Sequence, residues 1–510
     1  MKFSLLLFVL ACLLAAACSS AAVDTDSASA PATGAENSSA TTDSDADTDD
    51  SAVPEAGGGT DGQGEGEQED GGEGDAVQEV AAESEDDDEP FAGLDDDYLF
   101  SQDELHTFEL DLSEDDLAFL DADPAAEEYV EGTLTFEGET IPVGIRYKGS
   151  IGAFARCLDG PNPFLAEGAK TCPKLSMKIK INWEDSKDEF LGVRKLQFHA
   201  MNNDDSQLRE RLGYWLWREM DVAAPRATNA RVVINGEFSG LYALVENIDG
   251  RFTRANFDDG KGNLYKEVWP VTLDGEPFDE EVYIDSLRTN EDEDPTAELV
   301  RAFATDLGAV ADDAERAAVV REYMDVDRLM NQLAVDRTIL HDDGPFHWYC
   351  IGDVARLQGC DPHNFFWYEE TDSGQLHMIP WDIDNAFADS STIIGGFITV
   401  ADALGEITDD CEPFPFGSFN IPQLSASCDP LFAAWATMTD DYLAAFDRLH
   451  AGPLRSSVID PLLDTWVAQI EAATIEAAEA NSQALNVTTW ETAVDQLRAT
   501  VDSQRENRPR

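Results

Sequence analysis

The chain has 510 residues and carries 33 Lys or Arg against 104 Asp or Glu, a net charge of −71. A body so negative repels nucleic-acid backbones and anionic membrane surfaces, so nucleic acid is excluded as a partner and any anionic ligand needs a local exception. With 43% hydrophobic and 9% aromatic residues there is material for a real core, and the length allows about two to four domains or one large two-lobed unit with tails.

Met1-Lys2, the apolar run from Phe3 to Leu14 and the small residues Ala15-Ala16-Ala17 before Cys18 read as a signal peptide over 1–18. The run is too short to span a bilayer, which takes about 20 apolar residues. Cys18 followed by Ser19-Ser20 resembles a bacterial lipobox, in which that Cys is acylated, although an aliphatic residue is usual where Ala15 stands. Ordinary cleavage without a lipid is the alternative. Either way the expected location is extracytoplasmic, lipid-anchored to a bacterial membrane or secreted, with contact to the membrane only through the N-terminal lipid.

Residues 19–104 are rich in Ala, Ser, Gly, Asp and Glu, and no basic residue occurs between Lys2 and Arg146. Such a segment buries too little surface to offset chain entropy and is expected to be a disordered acidic tether. Six cysteines remain beyond Cys18: Cys157, Cys172, Cys350, Cys360, Cys411 and Cys428. An even set in an oxidising compartment suggests disulfides, and the sequence neighbours suggest three local staples, 157 to 172, 350 to 360 and 411 to 428. Zinc is the weaker reading, because no CxxC pair occurs.

Globular patterning starts near residue 105. Thr107 to Leu112 alternates like a strand, Ser113 is placed to cap a helix through Leu120, and strands follow over 129–136, 141–147, 175–181 and 196–198. Asn235-Gly236 between two further strands is a strong hairpin signal. One helix interrupts this β-rich part: Asp205 or Ser206 is its candidate cap, Leu208, Leu212, Trp215, Leu216 and Met220 form its apolar stripe, and Glu210 projects opposite. After residue 295 the pattern is mainly helical, broken by strands at 364–368 and 377–381. The expected fold class is α+β and bilobal, a β-rich lobe over about 105–270 with one long helix and a mainly helical lobe over about 295–510, with a ligand cleft between them.

Between 146 and 211 the charge balance turns positive, which is the local exception an anion requires. Lys148, Gly149 and Gly152 follow a strand, so backbone amides can approach phosphate oxygens there. Lys178 and Lys180 share one strand face; a merely solvated face is the plainer reading. Downstream, His341-Asp342-Asp343-Gly344, His363-Asn364 and Trp381-Asp382-Ile383-Asp384 offer hard oxygen ligands suited to Mg²⁺ on a nucleotide, with structural calcium as the alternative.

The blocks Ile145-Arg-Tyr-Lys-Gly-Ser, Leu175-Ser-Met-Lys-Ile-Lys-Ile, Leu208-Arg-Glu-Arg-Leu, Gly262-Asn-Leu-Tyr-Lys, His363-Asn-Phe-Phe-Trp-Tyr and Ile379-Pro-Trp-Asp-Ile-Asp, together with Ala224-Pro-Arg and the stretch from Ile234 to Asp249, resemble the CotH family of spore-coat, protein-kinase-like proteins over roughly 105–390. The resemblance implies an atypical kinase fold, ATP with Mg²⁺ (Mn²⁺ or Ca²⁺ in its place), and phosphoryl transfer to Ser or Thr of a protein at the cell surface. It implies that Lys178 meets the phosphates with Lys148 and Lys180 nearby, that Glu210 holds Lys178, and that Gly149 and Gly152 cover the phosphates. Asp343, with Asp342 as its rival, accepts the substrate proton, and Asn364, Asp382 and Asp384 hold the metal. Two departures are an insertion containing Cys350 and Cys360, and Asn385-Ala-Phe where the family has a Gly. A catalytically idle surface adhesion or coat-assembly protein is the competing expectation.

Overall fold

The computed structural model describes residues 91, 94–149, 151–154, 157–161, 166–183, 188–291, 295–341, 343–350, 360–387, 411–416 and 421–506. The expected signal peptide, Cys18, most of the acidic tether and Asp342 lie outside the described residues.

Seven strands form a closed barrel: β1 (Thr107–Leu112), β2 (Val130–Phe136), β3 (Glu139–Tyr147), β4 (Met177–Lys180), β5 (Lys195–His199), β6 (Ala227–Ile234) and β7 (Glu237–Val245). Their order is β1-β2-β3-β4-β5-β7-β6, and a parallel pairing of β1 with β6 closes the ring. Closure leaves this sheet without an open edge. Phe108, Leu134, Val143, Ile145, Ile179 and Phe198 fill the interior, each almost wholly buried. Burial of such side chains stabilises the barrel by about 1.5–3 kcal/mol apiece. The β6–β7 turn is Asn235-Gly236, both at positive φ (49° and 77°), which matches the right-handed twist of the strands it joins.

The helices, in chain order, are α1 (Asp96–Leu99), α2 (Glu114–Ala122), α3 (Ile151–Phe154), α4 (Arg209–Glu219), α5 (Gly250–Asn256), α6 (Glu280–Ile284), α7 (Glu298–Gly308), α8 (Asp313–Tyr323), α9 (Val326–Thr338), α10 (Pro430–Ala436), α11 (Thr439–Ala451), α12 (Ser456–Ala480) and α13 (Val487–Glu506). Ser113 caps α2 by accepting the Asp116 amide. Burial of Leu99 and Phe100 begins the folded part ahead of residue 105. Strand β8 (Leu264–Lys266) pairs with β10 (Phe365–Glu370), which pairs in turn with β11 (Gln375–Pro380). A third small sheet joins β9 (Trp348–Tyr349), β12 (Phe414–Phe416) and β13 (Ile421–Leu424).

Helix α4 starts at Arg209, later than its sequence suggests, because the capping group is Asp204. One Asp204 oxygen accepts the Arg209 amide at 2.8 Å while the other accepts the Ser206 amide at 2.9 Å. The Ser206 hydroxyl accepts the Leu208 amide at 3.4 Å instead, and Leu208, the residue before α4, has no capping side chain. Arg211 then ties α4 to its surroundings: Nε donates to Gln102 Oε1 at 2.9 Å, Nη1 to Gln469 Oε1 at 2.7 Å, and the guanidinium lies 4.4 Å from the Trp466 ring centroid. Trp217 Nε1 donates to the Gln332 carbonyl at 3.1 Å, joining α4 to α9. With both faces covered, Glu210 is buried rather than solvated.

The three disulfides pair Cys157 with Cys172, Cys350 with Cys360 and Cys411 with Cys428. Intact mass of the native protein without reductant should therefore lie six hydrogen atoms below the fully reduced mass; six alkylatable thiols under native conditions would contradict the pairing. Asp204→Ala should lower unfolding stability by about 1–2 kcal/mol through loss of the cap, with Asp204→Asn retaining most of it, as read by denaturant titration.

Candidate active site

The polar face of β3, β4 and β5 carries the cationic side of the site. Register places Arg146 opposite Lys178 and Lys178 opposite Gln197, so these three share one face, and strand alternation adds Lys148 and His199 to it. Lys148 donates its backbone N–H to the Ser176 carbonyl at 2.9 Å, which extends the β3–β4 ladder by one step. Its ammonium donates to Gln197 Oε1 at 2.9 Å and meets His199 Nε2 at 2.9 Å, 5.2 Å from the Trp381 ring centroid. His199 Nδ1 lies 2.7 Å from Glu210 Oε1.

The directions of these bonds follow from their ends. An ammonium can only donate, so Nε2 accepts, the proton sits on Nδ1, and Glu210 accepts it. Burial and then the Lys148 charge push the His199 pKa well below its usual value, against the pull of Asp382, which keeps the ring neutral. Lys148 and Glu210 are thus joined through an imidazole. Burial raises the Glu210 pKa to about 8, with Lys148 opposing the rise and Asp204 adding to it. Its second oxygen has no hydrogen-bond partner among the described residues.

The acidic side gathers at one end of the β10–β11 hairpin. Asn364 precedes β10 and Trp381 follows β11, and the Trp381 amide donates to the Asn364 carbonyl at 3.1 Å, so the antiparallel pairing brings both ends together. Asn364 and Asp382 both hold left-handed backbone (φ 64° and 47°), a conformation that costs about 1–3 kcal/mol and clusters at functional sites. Asn364 Nδ2 donates to the Asp343 carbonyl at 2.9 Å and to Asp343 Oδ2 at 3.0 Å. His341 Nε2 faces the Asp382 carbonyl at 3.2 Å while Nδ1 pairs with Asp336 at 2.9 Å.

Asp384 accepts from Asn203 Nδ2 at 2.9 Å, and its carbonyl accepts from Arg209 Nη1 at 2.8 Å, so the start of α4 grips the 381–384 turn. Gly213 permits this approach: a Cβ there would stand 2.4 Å from Ile383 Cδ1. Burial, then Asp384 and Glu210, raise the Asp382 pKa, with His199 and Lys148 pulling it down. Asp384 rises to about 6, chiefly by burial. Asp343 also rises, again chiefly by burial, with Asp382 adding to it and His363 and His341 opposing. Lys148, His199, Glu210, Asp343, Asp382 and Asp384 therefore form one electrostatic neighbourhood.

The remaining residues singled out in the sequence lie around it. Lys178 is buried directly across from Arg146 and Gln197, and the Glu210 carboxylate expected to hold it meets His199 and, through that ring, Lys148 instead. Lys180 is half-buried, further along beside Lys195. Gly149 has φ 144° and donates its amide to Glu127, and Gly152 falls in the short helix α3. A cavity of about 320 Å³ opens at the Lys195 end of β5, lined in part by Lys195, Asn247, Asp249 and Phe252. His199, Gln197 and Asn203 are site residues that the sequence reading passed over; alternation of Lys195, Gln197 and His199 against Leu196 and Phe198 is the signal that marks the first two.

The residues from 145 to 507 match the family described as CotH kinase protein. The chain belongs to the CotH family. It is 23% identical over 206 residues to the inner spore coat protein H of Bacillus subtilis (strain 168), covering 38% of this chain and 50% of that protein. It is 37% identical over 68 residues to the inner spore coat protein H-like protein of the same organism, covering 13% of this chain and 21% of that one. This CotH chain thus spans half the length of the first relative and about a fifth of the second.

The donor set is suited to a hard divalent cation. Asp382 and Asp384 repel one another while Asn364 adds an amide, and Mg²⁺ needs only one or two carboxylates when phosphates complete its shell. Among the described residues no three His, Cys, Asp or Glu side chains converge as a ready-made cage.

Glu210 titrates near 8 when folded, against 4.5 ordinarily, so between those values the folded chain holds the extra proton and stability falls as pH rises toward 8. Glu210→Gln should flatten that fall. Melting temperatures of both proteins from pH 5.5 to 8.5 should diverge in the variant's favour with rising pH; parallel curves would show Glu210 to be ionised throughout.

Proposed function

We propose that this CotH protein is an exported atypical kinase of bilobal build that transfers the γ-phosphoryl group of ATP to a Ser or Thr hydroxyl of a surface or secreted protein. The observation that carries the reading is the convergence of the Lys148–His199–Glu210 chain with Asp382, Asp384 and the Asp343–Asn364 pair. Phosphoryl transfer needs positioning and neutralisation of charge more than covalent chemistry, and these are the groups for it.

Lys148 is placed to neutralise the phosphates, with the Glu210–His199 link fixing its ammonium and Lys178 adding positive charge behind it. Asp382 and Asp384, supported by Asn364, are the groups that would hold Mg²⁺, and the ion would offset the charge of the β- and γ-phosphates. Asp343, oriented by Asn364, accepts the proton of the acceptor hydroxyl as the new O–P bond forms and the bond to the departing ADP oxygen breaks. Burial raises the basicity of Asp343, which favours that role.

Export is supported by the three disulfides, which persist in oxidising compartments. Among the described residues no helix is long and apolar enough to cross a membrane, so the proposed attachment is the lipid on Cys18 at the end of the acidic tether. Both relatives are named for the spore coat, which supports coat or surface assembly as the second reading.

Incubation of the secreted protein with labelled ATP and Mg²⁺ should label the protein itself or an added Ser/Thr-rich acceptor. Asp382→Ala should abolish labelling, and Asp343→Asn should lower it by about 10²–10⁴-fold. No labelling together with no thermal shift at millimolar ATP would leave the assembly reading in its place.

A further inference from the structure

Arg146 is the first basic side chain after Lys2 and is almost wholly buried. Its guanidinium lies 5.1 Å from the Tyr129 ring centroid, and Nη1 stands 2.5 Å from Glu127 Oε2. The other oxygen of the same carboxylate, Oε1, accepts the Gly149 amide at 3.0 Å. One carboxylate therefore bridges a guanidinium and a glycine amide immediately beside Lys148. Those are the two donor types that a phosphate oxygen takes in a glycine loop.

Glu127 reaches this position from a tight turn that follows Pro124–Ala126, with its own backbone left-handed (φ 53°). Its side chain is 18% exposed, so it can leave toward solvent without opening the core. It precedes β2, outside the residues matched to the family. Gly149 holds φ 144°, and a Cβ there would stand 2.5 Å from the Ala153 Cβ, so the amide is presented by a backbone that favours glycine.

We propose that Glu127 is a built-in anion seated in the phosphate site of the Gly149 loop, and that the phosphate chain of the nucleotide binds by displacing it. This rests on the ATP reading above. A tethered carboxylate competes at a fixed, high effective concentration, and apparent affinity falls by the fraction of time the seat is taken. The same exchange makes Glu127 select against weak single anions: a ligand must offer more negative charge than a carboxylate to win the guanidinium and the amide together. Inorganic polyphosphate and the triphosphate of ATP share that property, and the test separates them.

The experiment compares the full chain with Glu127→Gln and Glu127→Asp, titrated with inorganic tripolyphosphate without metal and with ATP plus Mg²⁺, by calorimetry and thermal unfolding. Glu127→Gln should bind tripolyphosphate about ten-fold more tightly than the parent. Without ligand it should melt lower, because the buried Arg146–Glu127 ion pair is lost, and ligand should restore it by a larger shift than in the parent. Glu127→Asp, one methylene too short to span both donors, should change in the same direction by less, and it carries the test if the Gln variant does not fold. Unchanged or weaker tripolyphosphate binding in both variants, with no restoration of melting, would overturn the proposal and leave Glu127 a structural strut. Tighter tripolyphosphate binding with no labelling by ATP in any variant keeps the Glu127 seat and overturns the kinase reading. Labelling by the parent with no gain in either variant does the reverse.

Discussion

The cost of burying negative charge governs this molecule. Glu210 is withdrawn from water, Asp343, Asp382 and Asp384 stand half-buried in the same region, and desolvation is the first cause of the raised pKa of each. Unpaired buried charges are expensive enough that a protein either neutralises them or surrounds them with hydrogen-bond donors. Here the 381–384 turn is held by its backbone carbonyls. His341 faces the Asp382 carbonyl and Arg209 the Asp384 carbonyl. The turn is held firmly while its carboxylates stay uncommitted to those cations, a disposition that suits an incoming positive ion.

The scaffold explains why such an arrangement holds. A barrel closed on itself fixes the spacing of β3, β4 and β5, so Lys148, Gln197 and His199 are set by strand register rather than by flexible loops. Helix α4 is anchored from both sides, by Asp204 at its start and by Arg211 and Trp217 further along. Gly213 then lets the 381–384 turn lie against it. The two charged halves of the site meet because α4 belongs to both neighbourhoods.

Much of this was legible in the sequence. Strand β1, the Ser113 cap, the Asn235-Gly236 hairpin and the three disulfides follow from local periodicity, capping chemistry and neighbouring cysteines. The parts that were not legible depend on long-range pairing. Nothing local announces that β1 pairs in parallel with β6 to close a barrel, or that β5 lies between β4 and β7. The site shows the same division. Asp343, Asn364 and Asp382 are readable as hard oxygen donors and through the family resemblance, whereas His199 between Lys148 and Glu210 emerges only once β5 is laid against β4. Glu127 looked like one more acid among many in a stretch devoid of bases, and only Arg146 folded against it gives it meaning.

The family match begins at residue 145, inside β3, whereas the barrel begins with β1 at Thr107. A fragment cut at the homology boundary would lack β1, β2 and most of β3. It would open the barrel around Ile179 and Phe198 and leave β6 without its β1 partner over 231–234, a ready template for intermolecular strand addition. Expression boundaries for this chain are therefore set by barrel closure, which takes in the stretch ahead of the family match.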